Sequence, residues 1–230
     1  MRQILISIFV FLFFALEAHP ASNVSLYLRV KAAYEELLEK PSVANEVKFF
    51  RVFPENCQEF TVWEQQFNDN ETQKKTMHIG KYIEMLGKLT AINDSIYCRK
   101  LINLATGANY EADGFNILQA LLQKKVNNPK LFGIFVYLLS PPYTKTKGER
   151  LRFWMFYWSS LSFIEEGYEP KRKEEERRPE LNTIMKRLKH NKAMRKIVRL
   201  AYEYSAYQVF FTSDYTLHGY ADIDYIKKSE

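Results

Sequence analysis

The chain has 230 residues and a formal net charge of +6; 47% of its residues are apolar and 15% aromatic. That is enough apolar material to fill a substantial core, which excludes a disordered chain, and the length suits one domain, at most two. Eight glycines and eight prolines leave little room for many tight hairpins, which argues against an all-β design.

The first residues have the form of a secretory signal. Met1-Arg2-Gln3 is a short positive region, Ile4 to Leu16 is apolar apart from Ser7, and Glu17 to Ser22 offers small residues for cleavage. The expected organisation is a signal peptide over 1–21, one helical domain over 22–211 and a polar tail over 212–230. The mature chain is then expected to be exported, periplasmic or extracellular.

Leu26, Val30, Ala33, Tyr34, Leu37 and Leu38 follow helical spacing, and Pro41 ends that helix. Ser42 is placed to cap a second helix carrying Val43, Val47 and Phe50. Asn56 with Glu59 three residues on has capping-box form and opens a helix through Phe67, with Cys57 in its first turn. A helix over 73–90 turns Ile79, Tyr82, Ile83, Leu86 and Leu89 inward. Asn93-Asp94-Ser95 starts another, with Cys98, Leu101, Ile102 and Ala105 inward and Gly107 as its stop. Asp113 caps the segment from Phe115 to Val126, and Asn127-Asn128-Pro129 breaks the chain again.

Cys57 and Cys98 are the chain's two cysteines. Export permits a disulfide between them, and closing a loop of about 40 residues would stabilise by roughly 4 kcal/mol in the chain-entropy model. Three Asn-x-Ser/Thr triplets, at Asn23, Asn70 and Asn93, are near the number expected by chance and do not separate bacterial from eukaryotic export.

The stretch from Leu131 to Ile164 is the centre of the predicted fold: two very apolar arms joined by a Pro-Pro turn and a basic loop. A membrane-spanning helix needs roughly 20 apolar residues, and both arms are shorter. Phe153 to Trp158 are six consecutive large apolar residues. At 100° per residue they cover every side of a helix, and such a helix must be buried on most sides. The second arm, Leu151 to Ile164, is expected to be a helix that others wrap.

Lys171 to Arg178 (KRKEEERR) is a charged run, after which Pro179 is expected to restart a helix. Lys192 to Phe211 is the last long helix. In all, about ten short helices are expected, giving an all-α fold: an irregular multi-helix bundle or a short solenoid-like stack.

The chain has no P-loop, G-x-G-x-x-G, H-E-x-x-H or G-x-S-x-G pattern, so the sequence assigns no catalytic residues, no metal ligands and no cofactor. The charge distribution is more informative. Between Lys171 and Arg199 twelve Lys/Arg stand against four Glu, a local +8, while the rest of the chain is slightly acidic. Lys186, Arg187, Lys189, Lys192, Arg195, Lys196 and Arg199 are expected on the outer sides of the last two helices, a surface that attracts anionic partners. The reading is an exported, non-catalytic binding protein, in one version immunity- or inhibitor-type, docking an acidic protein or an anionic envelope surface. Export argues against nucleic acid as the source of the anion. The alternative is an envelope or extracellular hydrolase. Its site would lie at the aromatic hairpin, where Glu165-Glu166 follows the rings, or in the tail, where Asp214, His218, Asp222 and Asp224 cluster.

Overall fold

A computed structural model describes residues 25–71, 79–107, 113–143, 146–158, 161–164, 167–170 and 174–207. The proposed signal segment and the tail with Asp214, His218, Asp222 and Asp224 lie outside the described residues, as do His78 and Glu165-Glu166. The fold is all-α. Among the described residues there are ten helices: α1 (Leu26–Glu39), α2 (Val43–Val52), α3 (Cys57–Glu71), α4 (Gly80–Lys88), α5 (Asp94–Ala105), α6 (Asp113–Asn127), α7 (Pro129–Leu138), α8 (Lys147–Trp158), α9 (Glu174–Arg187) and α10 (Lys192–Tyr207). One small antiparallel ribbon, β1 (Leu161–Ile164) with β2 (Gly167–Pro170), stands between α8 and α9.

Most boundaries follow from side chains that satisfy the amides of a helix's first turn. Ser42 Oγ accepts from the Asn45 amide at 3.2 Å and starts α2. Asn56 Oδ1 accepts from the Glu59 amide at 3.0 Å while Glu59 reaches back to the Glu55 amide at 2.9 Å, starting α3. Asn93 Oδ1 accepts from Ser95 at 2.9 Å and starts α5. Asn128 caps α7, with Pro129 as its first residue, where the missing N–H costs nothing.

The packing is that of a bundle rather than a stack. In a solenoid each unit touches its chain neighbours alone; here α8 packs against α5, α6 and α10. The aromatic helix is therefore wrapped on several sides, as its all-round apolar sequence requires. Phe153, Trp154, Phe156, Tyr157 and Trp158 are each at most 1% exposed. The carbonyls at its C-terminal end, which lack intrahelical donors, are met from α6: Gln119 Nε2 donates to Phe156 O, and Gln123 Nε2 to Tyr157 O at 2.7 Å.

Rings extend the interior in two series that meet on α8. One runs Tyr34–Tyr82–Trp63–Phe60–Phe115–Phe156, with centroids 4.5 to 6.4 Å apart. The other runs Phe153–Trp154–Tyr157–Trp158–Tyr202, at 4.8 to 5.4 Å.

Three expectations are corrected. The aromatic helix stops at Trp158, and Leu161–Ile164 pairs with Gly167–Pro170 in the register Leu161↔Pro170 to Ile164↔Gly167. Serine and the aromatic residues before it have similar, middling helix propensities, so no local signal in the sequence marks this end. Next, α9 begins at Glu174 and continues through Pro179. A tertiary contact holds the turn before the proline: buried Arg177 donates to Ser205 Oγ at 2.5 Å, and its guanidinium lies 4.7 Å from the Tyr202 ring centroid.

Finally, no disulfide joins Cys57 and Cys98. A side-chain carbon placed on Gly107 would stand 3.2 Å from Cys57 Cβ, so Cys57 packs just past the C-terminal end of α5. Cys98 lies nine residues earlier, about 14 Å back along that helix at 1.5 Å per residue. Bridged cysteines need Cα atoms within about 7 Å. An even number of cysteines and a permissive compartment say nothing about which ends of two helices meet. In denaturant without reductant, alkylation should therefore add two labels to each chain by mass spectrometry. In the folded protein Cys57 should react far faster, because Cys98 is fully buried and burial pushes its thiol up to about 12.

Candidate functional site

The strongest charged feature is built by α9 and α10. Asn191 Oδ1 accepts from the Met194 amide at 2.9 Å and fixes the phase of α10. Met194, Ile197, Val198, Ala201, Tyr202 and Ser205 then recur at i, i+3, i+4, i+7, i+8 and i+11, and all are buried. Trp154 Nε1 lies 3.3 Å from Met194 Sδ and ties this face to α8. The same periodicity turns Lys192, Arg195, Lys196, Arg199 and Glu203 to the opposite side.

There they line a groove of about 390 Å³, with Met185 of α9 and Leu200 as apolar floor. Four cations share this groove with one carboxylate. Lys192, Lys196 and Arg199 are exposed, while Arg195 is half-buried. Lys192, Arg195 and Arg199 form no ion pair among the described residues. Such a site is open to an anionic group that also carries an apolar anchor.

The other three sequence-derived positions do not line this groove. Arg187 turns toward α6 and α7: Nη1 donates to Asn127 O at 3.2 Å, and its guanidinium lies 5.2 Å from the Phe132 ring centroid. These contacts link α9 to α6 and α7. Lys186 and Lys189 are exposed on the flank.

The rings of the aromatic helix, Phe153, Trp154, Phe156, Tyr157 and Trp158, are all buried. Besides being buried, Tyr157 has its hydroxyl 3.2 Å from Asn127 Oδ1 and 2.5 Å from Glu180 Oε1, so its polar end is committed to holding α6, α8 and α9 together. His190 is exposed between α9 and α10. Among the described residues no group of three or more His, Cys, Asp or Glu side chains could hold a metal, and no helix is long and apolar enough to cross a membrane.

A second cleft, of about 810 Å³, is absent from the sequence reading. It lies where α3, α5, α8, the end of α7 and the turn after it meet. Part of its signal was legible. Arg99, Asn103 and Thr106 recur at i, i+4 and i+7 on the side of α5 away from buried Leu101 and Leu104. Its other walls come from segments some forty residues away on either side. No family model, curated protein or solved structure matches the chain.

Proposed function

We propose that the protein is an exported, non-catalytic binding protein whose α9–α10 groove docks an acidic segment of a partner protein. The observation that carries this reading is the convergence of Lys192, Arg195, Lys196 and Arg199 over the apolar floor of Met185 and Leu200. Guanidinium groups bind carboxylates in paired, directional contacts, and a low apolar floor selects a partner with a hydrophobic residue among its acids. Exposed charges of one sign also speed encounter with such a partner, an effect that salt screens.

A labelled peptide alternating Glu and Leu serves as the probe, followed by fluorescence anisotropy. Binding should weaken steeply as salt is raised. The combined variant K192E/R195E/K196E/R199E should lose it by about a hundredfold or more, since each charged contact is worth roughly 1.5–3 kcal/mol. The double variant K186E/K189E, whose residues stand outside the groove, should lose far less. If both variants bind alike, the groove assignment fails. An anionic vesicle that outcompetes the peptide would favour an envelope surface as the partner.

A further inference from the structure

The larger cleft beside Cys57 is independent of the basic groove and differs from it in chemistry. Its volume, about 810 Å³, is that of a small-molecule site rather than a crevice between side chains. Arg99 reaches it from α5 and Arg152 from α8, while Glu149 is the carboxylate that faces them. Glu149 already accepts from the Thr146 amide at 3.0 Å, at the start of α8. Arg99 makes no ion pair or hydrogen bond among the described residues. The cleft is thus lined by two guanidinium groups against the one carboxylate of Glu149, and of the two Arg99 is the exposed one. Its apolar strip is Val62, Ile102 and Leu138, with polar Asn103 next to Ile102 on α5. Val62, 42% exposed, is the part open to solvent; Ile102 and Leu138 are buried.

These walls ask for two things in one molecule. Planar guanidinium groups match a carboxylate in two-point contact. The strip asks for an apolar body beside it. We propose that this cleft is a binding site for an amphipathic carboxylate of small-molecule size, with the carboxylate on Arg99 and Arg152 and the apolar body along Val62, Ile102 and Leu138. A free organic acid and the C-terminus of a short apolar peptide share this chemistry.

Cys57 provides the readout, because it lines the cleft and is half-buried, whereas Cys98 is fully buried. Alkylation of Cys57 by iodoacetamide, a neutral reagent, is timed with octanoate or with N-acetyl-trileucine present. Either ligand at about ten times its Kd should slow the reaction roughly tenfold by occupancy alone. Protection by octanoate alone identifies a free acid as the ligand, and protection by the tripeptide alone identifies a peptide terminus; both support the site. The C-terminal amide of the tripeptide should protect about tenfold less well, and Arg99→Ala should weaken the protecting carboxylate by about tenfold or more. Arg99 is exposed and has no ion pair or hydrogen bond among the described residues, so this variant keeps the fold, which circular dichroism checks. The proposal is overturned if neither carboxylate protects Cys57, if the amide protects equally, or if Arg99→Ala leaves protection unchanged.

Discussion

Replacing Lys100 with methionine should lower the unfolding free energy by about 2–4 kcal/mol, and with it the melting temperature by about 5–15 °C for a chain of this size. Lys100 is 1% exposed, yet it carries an amine. Its Nζ donates to Phe50 O and Phe53 O, each at 2.7 Å, and lies 2.9 Å from Glu55 Oε2 and 4.5 Å from the Phe50 ring centroid. The two carbonyls stand at the C-terminal end of α2, where no intrahelical donor exists. Lys100 thus supplies from α5 the donors that α2 lacks, and methionine would leave two buried acceptors unmet.

The pH dependence separates this account from simple loss of packing. Burial lowers the Lys100 pKa, and the neighbouring carboxylate of Glu55 offsets part of that effect. In the window between the folded value and the ordinary lysine value of about 10.5, the unfolded chain holds the proton that the folded chain has released. Stability contributed by this group then rises with pH. A neutral amine still has two N–H bonds for the two carbonyls. The stability gap between the wild type and K100M should therefore widen from about pH 8 to about pH 10, because titrations shared by both proteins cancel. Urea titrations at the two pH values measure the gap, and a narrowing gap would contradict the burial account.

Trp154→Ala is the second large effect, at about 3–5 kcal/mol. The ring is 0% exposed and packs edge-on against Phe153 at 5.3 Å and Tyr157 at 5.4 Å, with Nε1 directed at Met194 of α10. The loss should fall first on the seam between α8 and α10. Hydrogen exchange should show α10 losing protection ahead of α1 and α2, and affinity for the acidic peptide should fall along with stability. Charge reversal in the groove should behave differently, with affinity lost while the melting temperature moves little. A W154A protein that keeps both stability and α10 protection would mean that this seam does not anchor the basic helix.

What the sequence discloses is what acts locally. Ser42, Asn93 and Asn128-Pro129 mark helix starts because a short polar side chain satisfies amides two or three residues away. The spacing of Lys192, Arg195, Lys196 and Arg199 likewise fixes a common face for any helix in that phase. Where distant elements decide, the sequence is silent. Pro179 reads as a helix start, but Arg177 reaches Ser205 and holds an earlier turn. Cys57 and Cys98 read as a pair, but Cys57 packs just past the C-terminal end of α5 while Cys98 lies nine residues earlier on that helix. Arg187 reads as part of the basic face, whereas the carbonyl of Asn127 and the ring of Phe132 draw it to the other side of α9. The Cys57 cleft needs four helices and a turn to exist, and no segment contributes more than five of its lining residues.

The two ring series also make the interior optically legible. Trp63 belongs to one series, and Trp154 and Trp158 to the other; all three are at most 1% exposed. Rings this close couple their excited states, and excitation absorbed by neighbouring tyrosines such as Tyr82 and Tyr202 passes to the indoles. The folded protein should emit in the blue part of the tryptophan range and show strong near-ultraviolet dichroism, signals that require fixed side chains. Single replacements of Trp63 and Trp158 by phenylalanine would assign each part of the spectrum to one group of helices, giving a label-free view of which group loosens first.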